Sequence, residues 1–372
     1  MDLEFHYYMT YLIAIRSGFN KKDANLLAYS SQYIDNNDHI FNISPGTDDH
    51  YENYISQTKN ITKPRKKLFR IYPIFHFIPG EVMAKKSRRK DGKLHYLNTT
   101  PDNKNANQIL DGALESNNIY KIGLAVHAFA DTYAHQNFVG YFESYNHLGG
   151  VLQKSPAKVG HASAVHKPDI PNLIWDDDRL CSFNCKRNNK EIFLRAAGRI
   201  FEKLKLHNNS QISTQKLESE KEELLSDISA AIGETNEKFS FFSNLFDNKD
   251  KNLRIKNYRK LSQQKQYGGT KVEKYNKYQW LDRVLANPVK ISWFKLQRET
   301  PLIPIPVIIE VIKDKIKDFF GVEFSFKYSW KDKNNYKNSH WYRFQKAVKE
   351  LQEEAETILE NNTLSKMELE EL

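Results

Sequence analysis

The sequence has little cysteine, glycine or proline, and it has no long apolar run. Its two cysteines, Cys181 and Cys185, exclude a disulfide framework, and two reduced thiols are favoured over half of a zinc site. With 15 Gly and 12 Pro in 372 residues, the composition favours helices over a β-sandwich or barrel. No apolar stretch approaches the ~18 residues of a membrane-spanning helix. The start, from Met1 to His6, is acidic where a signal peptide is basic, so we expect a cytoplasmic protein without a conventional export signal.

The charge balance is positive. There are 56 Lys and Arg against 46 Asp and Glu, which gives a formal net charge of +10. Such a field attracts phosphate-bearing partners such as nucleic acid or anionic lipid headgroups. Basic residues are dense in segments 63–70 and 85–90, on the two sides of His76. They would steer a phosphate towards His76 if that residue lies in a site, although solvated loops are the commoner meaning of such segments.

Histidines are concentrated in the first part of the chain, where 10 of the 12 occur within residues 1–166. Segment 119–138 predicts a helix that places His127, Asp131 and His135 four residues apart on one face. Neighbours at this spacing can share an ion, but His127 and His135 are too far apart to do so. Asp131 is therefore the candidate bridge between two metals. Histidines that hydrogen-bond within a buried core are an equally weighted alternative.

Two predicted helices near the start add further candidate ligands. Helices at 3–16 and 21–36 are joined by a short turn and should run antiparallel, with Asn20 as the cap of the second. This arrangement brings His6 and Asp35 to the same end. A simple His–Asp hydrogen bond at the mouth of the helical hairpin is the alternative.

Two later segments complete the set. His76 lies in the middle of segment 72–80, which prolines bracket and which we expect to be extended and buried; a lone core histidine is the commoner meaning of this pattern. Segment 160–169 predicts a strap across a site, in which the aspartate follows a proline and so lies in a turn. The candidate ligands of this strap are His161, His166 and Asp169.

Beyond residue 186 the chain predicts a helical scaffold. Segment 187–278 has the pattern of two or three long helices rich in Lys and Glu. Segment 301–320 is Pro-rich and then amphipathic, and a buried crossover is favoured there over a lipid-touching lip. We expect one α-helical domain at 1–348, with a ligand-bearing part at 1–186 and a scaffold part at 187–348, followed by a Glu-rich C-terminal helix or tail at 349–372.

The order of these candidates resembles that of the zinc-dependent phospholipase C and single-strand-specific nuclease superfamily, whose members are all-helical and hold three zinc ions. It looks most like an uncharacterised bacterial branch with segments similar to Phe5-His6-Tyr7-Tyr8, Phe75-His76-Phe77-Ile78-Pro79-Gly80 and the stretch from His127 to Gln136. The branch resemblance runs from residue 5 to about 345. Resemblance to the characterised enzymes covers the ligand constellation alone.

Carried over residue by residue, the resemblance implies three metal groups. They are Asp35, His76, His127 and Asp131; then His6 with Asp131; and finally His135 with His161 and either His166 or Asp169. Two departures stand out. Characterised members use the amino group and carbonyl of an N-terminal Trp as ligands, whereas this chain has Met1, which predicts a weak or absent second zinc. Their last pair is His followed four residues later by a carboxylate, whereas position 165 here is Val.

These observations predict an all-α, multi-helix bundle with long loops, similar to zinc-dependent phospholipase C. The function they predict is phosphodiester hydrolysis by two or three Zn²⁺ ions that activate water, with Asp35 and Asp131 as the catalytic carboxylates. Phospholipid and nucleic acid both remain open as substrates, as do peripheral membrane contact and the oligomeric state. A histidine–aspartate phosphohydrolase is disfavoured because the chain has no adjacent His-Asp doublet.

The rival from another class is a non-enzymatic, metal-stabilised helical protein that acts as an interaction module or secreted effector. The Glu-rich end resembles translocation signals of type IV secretion effectors, so export by a specialised secretion system is one expectation. A solvated helix is the favoured interpretation of that end.

Overall fold

The computed structural model describes residues 1–58, 71–148, 158–164, 166–237, 249–286 and 328–363. The chain divides into two compact units. The first consists of Met1–His39, Ile55–Tyr275 and Lys346–Leu372, and the second of Ile40–Tyr54 and Asn276–Gln345. All the residues proposed from the sequence as ligands belong to the first unit. The domain boundaries expected from the sequence stay predictions.

Helices dominate the described residues, so the fold is mainly α-helical. A π-helix at Glu4–Met9 continues directly into α1. In chain order the helices are α1 (Thr10–Arg16), α2 (Lys21–Tyr33), α3 (Ile71–Phe75), α4 (Lys104–Glu115), α5 (Ile119–Ala134), α6 (Asn189–Asn208), α7 (Thr214–Ile232), α8 (Lys249–Leu261), α9 (Leu281–Val284) and α10 (His340–Asn362).

In the described part of the chain, three short antiparallel strand pairs accompany the helices, and the all-α expectation did not include them. They are β1 (Asn42–Ile43) with β2 (Tyr51–Glu52), β3 (Phe142–Glu143) with β4 (Lys158–Val159), and β5 (Ile174–Asp176) with β6 (Lys186–Asn188). Each pair has two or three residues in register. They tie loops together and do not form a layer of the core.

The first two helices form as their sequence predicts. The side chain of Asn20 accepts a hydrogen bond from the Asp23 backbone N–H at 3.0 Å, so it caps α2. Gly18, at φ 105°, supplies the left-handed turn after α1. The π-helical start, however, was not predicted, because a π-turn has no hydrophobic period of its own.

Helix α5 is the centre of the first unit and packs against α2, α4 and α6. It ends at Ala134, four residues before the predicted end, because the backbone leaves helical geometry at His135. Its closest approach is to α2: a Cβ added at Gly123 would lie 2.5 Å from the Leu27 carbonyl oxygen. The absence of a side chain at Gly123 therefore lets two helices that carry or precede candidate ligands lie against each other.

Segment 72–80 is buried as expected, except for the half-buried Gly80, but its first four residues are helical instead of extended. Residues 71–75 form helix α3, with Pro73 within its first turn, where a missing N–H costs nothing. Helices α6, α7 and α8 agree with the two or three predicted for segment 187–278. The amphipathic segment 301–320 lies outside the described residues. None of the described helices has both the length and the apolar character needed to cross a bilayer.

Candidate metal centre

Eight of the nine candidate ligands fall into three adjacent groups, each with its donor atoms within 4.8 Å of one another. The groups are His6, His127 and Asp131; Asp35, His76 and His127; and His135, His161 and Asp169. The division differs from that implied by the resemblance in two respects. His127 belongs to two groups instead of one, and Asp131 belongs to one group instead of two.

Asp131 lies at the middle of these groups and is only 1% exposed. Its Oδ1 is 3.1 Å from His6 Nε2. Its Oδ2 is 3.3 Å from His76 Nδ1 and 3.3 Å from His127 Nε2. The two oxygens of one carboxylate thus face different imidazoles, which is the arrangement of a bridging ligand.

Local helical geometry brings the central side chains together. His127 and Asp131 are one α-helical turn apart on α5 and share a face. His6 comes from the π-helix, and its ring stacks on that of His127 with 3.8 Å between centroids. Asp35 lies in a short 3₁₀ helix, Ile34–Asn36, that follows α2 directly. The predicted convergence of His6 and Asp35 at one end of the helical hairpin is therefore what the structure contains.

Backbone carbonyls orient two of the imidazoles. His76 Nε2 lies 3.0 Å from the Ser56 carbonyl oxygen, and His135 Nδ1 lies 2.7 Å from the carbonyl oxygen of His76. A carbonyl can only accept, so these nitrogens carry the protons. The other nitrogen of each ring, His76 Nδ1 and His135 Nε2, is thereby left with a lone pair. Such backbone partners are typical of histidines that bind metals.

The third group is built from the end of α5 and the strap. His135 Nε2 is 3.7 Å from Asp169 Oδ1, and His161 Nε2 is 3.7 Å from Asp169 Oδ2. His166 Nδ1 also lies 3.8 Å from Asp169, but the His166 side chain is 65% exposed and joins none of the three groups. Of the two residues left open by the resemblance, the geometry places Asp169 in the group and His166 at its edge.

The α-amino group of Met1 was not among the candidates, yet it lies inside the cluster. It is 2.5 Å from Asp131 Oδ1, 3.2 Å from His135 Nε2 and 3.5 Å from Asp169 Oδ1. The signal that could have identified it was the N-terminal amino ligand of the similar enzymes, which does not require the side chain of Trp. We expected the absence of Trp to remove this ligand, although the amino group of Met1 lies in the cluster without it.

Burial and charge set the ionisation of these groups. Burial, with His127 adjacent, lowers the pKa of His6 to about 3, and burial lowers the pKa of His135 to about 4. Burial opposes ionisation of Asp131, but the neighbouring histidines and the Met1 amino group hold its pKa well below the usual value. For His76 the balance is the opposite: burial opposes protonation, but the carboxylates of Asp131 and Asp35 raise its pKa. His6 and His135 as neutral imidazoles, with ionised Asp131, are in the states that bind a divalent cation.

The same amino group is held positively charged. Burial alone would lower its pKa, but the carboxylates of Asp131 and Asp169 raise the pKa of the Met1 α-amino group to about 10. They do so because both acids are close and ionised. Burial opposes ionisation of Asp169 as well, but His161 and the amino group hold its pKa well below the usual value. An ammonium group and a metal ion would therefore compete for the same carboxylates.

Buried polar atoms without partners show that the cluster is chemically incomplete. Among the described residues, no hydrogen-bond partner satisfies His127 Nδ1 or either ring nitrogen of His6, whose Nε2 lies 3.1 Å from Asp131 Oδ1. His6 and His127 are both fully buried. Leaving such groups unpaired is costly, whereas coordination of cations by the cluster would engage lone pairs and carboxylate charge together. The residues present therefore fit a metal centre.

A cavity of about 310 Å³ opens beside the three groups. Its lining includes the three aspartates of the groups, with His76, His135 and His161. Tyr72 and Phe77 form its apolar walls. A small substrate could therefore reach donor atoms of each group.

Comparisons with known proteins give one relationship. No curated protein matches the chain, and no solved structure does. The profile of a family described as a family of unknown function (DUF6765) matches residues 1–359, and the chain therefore belongs to that family.

Proposed function

We propose that this protein hydrolyses phosphodiesters at a multinuclear metal centre, with zinc as the metal. The observation that carries the proposal is the convergence of eight His and Asp side chains, from five separate segments, into three adjoining groups around Asp131. Imidazole and carboxylate donors in these proportions suit zinc better than magnesium or calcium. The resemblance to zinc-dependent phospholipase C and single-strand-specific nucleases supports the same chemistry.

The chain's own residues would divide the work. Ions bound here would supply Lewis-acid activation of a phosphoryl oxygen and of water. Asp131 would stay ionised and hold two groups at a fixed separation, since its oxygens face different imidazoles. Asp35 is the most exposed of the three carboxylates, at 28%, and lines the cavity. It would orient the attacking water and accept its proton, while the Gln32 amide, which donates to Asp35 at 3.1 Å, fixes its rotamer.

The test uses the full chain and a soluble substrate, bis(4-nitrophenyl) phosphate. Hydrolysis should require bound metal, stop in EDTA and return with Zn²⁺. Asp35→Asn should lose about 100-fold in rate or more, the usual contribution of a general base. Because Asp35 is also a donor of the second group, the metal content of the variant is measured beside its rate, and the rate is compared at full metal loading. Asp111→Asn is the matched control, because Asp111 is an exposed partner of Lys203 far along the surface of α4. A fully metal-loaded protein without chelator-sensitive hydrolysis would reject the proposal.

Substrate class is then decided by direct comparison. Release of a phosphorylated headgroup from phosphatidylcholine would assign a phospholipase, whereas cleavage of single-stranded DNA or RNA would assign a nuclease. Both assays need EDTA controls and the Asp35→Asn variant.

A structural metal is the second candidate, and one observation favours it. His6, His127 and Asp131 are at most 1% exposed, and closed, fully buried sites are typical of metals that stabilise a fold. One tightly held ion per chain, with no hydrolysis of any phosphodiester, would support this role and the non-enzymatic alternative.

A further inference from the structure

Exposed apolar side chains are concentrated on three loops. Nine large apolar residues are strongly exposed among the described residues, and five of these lie on loops 81–97, 139–146 and 177–185, which we call the loop surface. They are Met83 at 70%, Phe183 at 60%, Leu94 at 52%, Tyr96 at 47% and Tyr141 at 41% exposure. Single exposed apolar residues are ordinary, but five on three joined loops indicate an interaction surface.

Backbone hydrogen bonds join the loops. Arg89 and Leu180 form an antiparallel bridge, and the Lys90 N–H donates to the Arg179 carbonyl oxygen at 3.0 Å. A second antiparallel bridge, between Asn98 and Val139, connects the end of loop 81–97 to loop 139–146. The exposed residues therefore belong to one continuous piece of structure.

The base of the loop surface is packed with buried side chains. Leu97, Val139 and Tyr145 form a buried cluster beneath it. The carbonyl oxygen of Tyr145 accepts hydrogen bonds from Arg89 Nη1 at 2.9 Å and from Arg179 Nη1 at 3.2 Å. The Arg89 guanidinium also lies 4.3 Å from the Tyr145 ring centroid. Because the space beneath is filled, the exposed apolar side chains cannot fold inward without breaking these contacts.

Unpaired positive charge lies on the same loops. Lys85, Arg88, Lys90 and Lys93 are exposed and have no ion pair with any described residue. Most of the acidic groups beside them are engaged: Asp91 pairs with Arg89, Asp177 pairs with Arg179, and Glu81 accepts from Thr100 Oγ1 at 2.8 Å. Asp178 is also exposed on loop 177–185.

Protruding apolar side chains among free lysines and arginines match the boundary of an anionic bilayer. Aliphatic and aromatic groups gain by entering the headgroup and acyl region, and each nearby basic residue gains from anionic headgroups. Nucleic acid would use the basic residues and could stack on Tyr96, Tyr141 or Phe183, but it would leave Met83 and Leu94, two of the most exposed side chains, without an apolar partner. The combination therefore favours lipid.

We propose that the loop surface binds the interface of an anionic phospholipid bilayer, with Met83, Leu94 and Phe183 inserted and the free lysines facing the headgroup phosphates. This inference goes beyond the proposed hydrolysis, since docking does not require the metal centre to be active.

The experiment measures co-sedimentation of the full-length protein with vesicles of phosphatidylcholine, with and without phosphatidylglycerol. The wild type should bind the anionic vesicles and release them at high salt. Met83→Ser/Leu94→Ser/Phe183→Ser should reduce partitioning about tenfold or more, because three inserted side chains are lost. Leu206→Ser/Leu253→Ser is the matched control, since both leucines are exposed on helices α6 and α8 outside the loop surface; it should change partitioning less than about twofold.

Further variants and readouts keep the outcomes distinct. Lys85→Gln/Lys90→Gln/Lys93→Gln should weaken binding and remove its salt dependence. The proposal is overturned if the wild type does not bind anionic vesicles, or if the apolar triple variant binds them as well as its control does. It is also overturned if the wild type binds a single-stranded oligonucleotide and the loop variants lose that binding in place of vesicle binding. Hydrolysis of soluble bis(4-nitrophenyl) phosphate is measured separately, so failure of the metal centre and failure of docking give different patterns. Circular dichroism and metal content verify that each variant is folded.

Discussion

The imidazole rings of His6 and His127 stack with 3.8 Å between their centroids and 23° between their planes, in a fully buried position. Two histidines this close cannot both be protonated without strong repulsion, and each retains a nitrogen with no protein partner among the described residues. We therefore expect a cation bound beside the pair to stabilise it.

The first prediction follows from this pair. Removing metal with a chelator should lower the melting temperature, since a ligand that binds the folded state stabilises it by about 2.7 kcal/mol at a free concentration of 100 Kd. Zn²⁺ should restore the melting temperature. Mg²⁺ should not, because it prefers oxygen ligands. Differential scanning calorimetry with the three treatments checks this, and a melting temperature indifferent to the chelator would contradict it.

A second prediction concerns the number of ions. Because the two oxygens of Asp131 face different imidazoles, Asp131→Asn should lower the metal content by at least one ion per chain. Asp111→Asn should leave it unchanged. His161→Ala should remove an ion from the third group alone, since His161 belongs to no other group. Mass spectrometry of metals against protein concentration gives the count, and equal counts in all variants would argue against a shared centre.

Arg254 provides a third prediction, because it links two ligand-bearing segments from a distant helix. It donates to both carboxylate oxygens of Glu4 at 2.9 and 2.8 Å, and to Asn172 Oδ1 at 3.1 Å. Glu4 precedes His6 by two residues and Asn172 follows Asp169 by three. Arg254→Met should cost about 3 kcal/mol of unfolding free energy, since it leaves a buried carboxylate unpaired.

Arg254→Met should also bind metal more weakly than the wild type, because the two ligand-bearing segments lose their common partner. Arg16→Met removes a comparable pair with Glu223, whose side chain is 55% exposed, and should cost less than about 1 kcal/mol. Urea denaturation and a zinc titration measure the two effects. If Arg254→Met matches the Arg16 control in both, Arg254 does not position the ligand segments.

Two glycines on neighbouring helices form a matched pair for the fourth prediction. A Cβ at Gly123 would meet the Leu27 carbonyl oxygen at 2.5 Å and Ser30 Cβ at 2.6 Å, whereas a Cβ at Gly112 would meet only Glu354 Oε2 at 4.0 Å. Gly123→Ala should therefore destabilise the protein by about 1–3 kcal/mol. Gly112→Ala should stabilise it by about 0.5–1 kcal/mol, as expected within a helix. Thermal or urea unfolding of both variants decides; equal effects would place α5 further from α2.

The fifth prediction concerns pH and the Arg89–Asp91 pair. Hydrogen bonds from Arg89 lower the pKa of Asp91 from 3.8 to about 2. Since the folded-state pKa lies below the unfolded value, the ionised pair stabilises the fold above pH 3.8, and this stability is lost as the pH falls towards 2. Asp91→Asn should cost less than about 1 kcal/mol at pH 7, because the pair is partly solvated.

The difference in unfolding free energy between Asp91→Asn and the wild type should shrink between pH 4 and pH 2. Above pH 4 this difference should be constant. Urea unfolding across the range measures it. A difference that grew on acidification would have the wrong sign for a depressed carboxyl pKa.

The central helix and its hairpin partner could be predicted from sequence because their signals are local. Four-residue spacing alone places His127 and Asp131 on one face of α5, and the Asn20 cap with a short turn brings His6 and Asp35 to one end. The mainly helical class followed from composition in the same way. Zinc and hydrolysis stay predictions.

What sequence could not supply depends on contacts between distant residues. The orientation of His135 relies on a carbonyl 59 positions away, and Glu4 is held by an arginine 250 positions away. Neither contact follows from a periodic sequence pattern, so neither could be predicted from the sequence. The helix at Ile71–Phe75 was missed for a different reason: Pro73 was taken as a boundary, although a helix accommodates proline in its first turn.

The π-helix at Glu4–Met9 has a consequence for the register of the whole N-terminal segment. A π-turn contains one residue more than an α-turn, so deleting Tyr8 and letting the segment close as a regular α-helix would turn everything before it by about 100° about the axis relative to α1. His6 would then rotate away from His127, and Glu4 would rotate away from Arg254. A single additional peptide unit therefore determines whether the beginning of the chain faces the His and Asp cluster or the opposite side of its own helix.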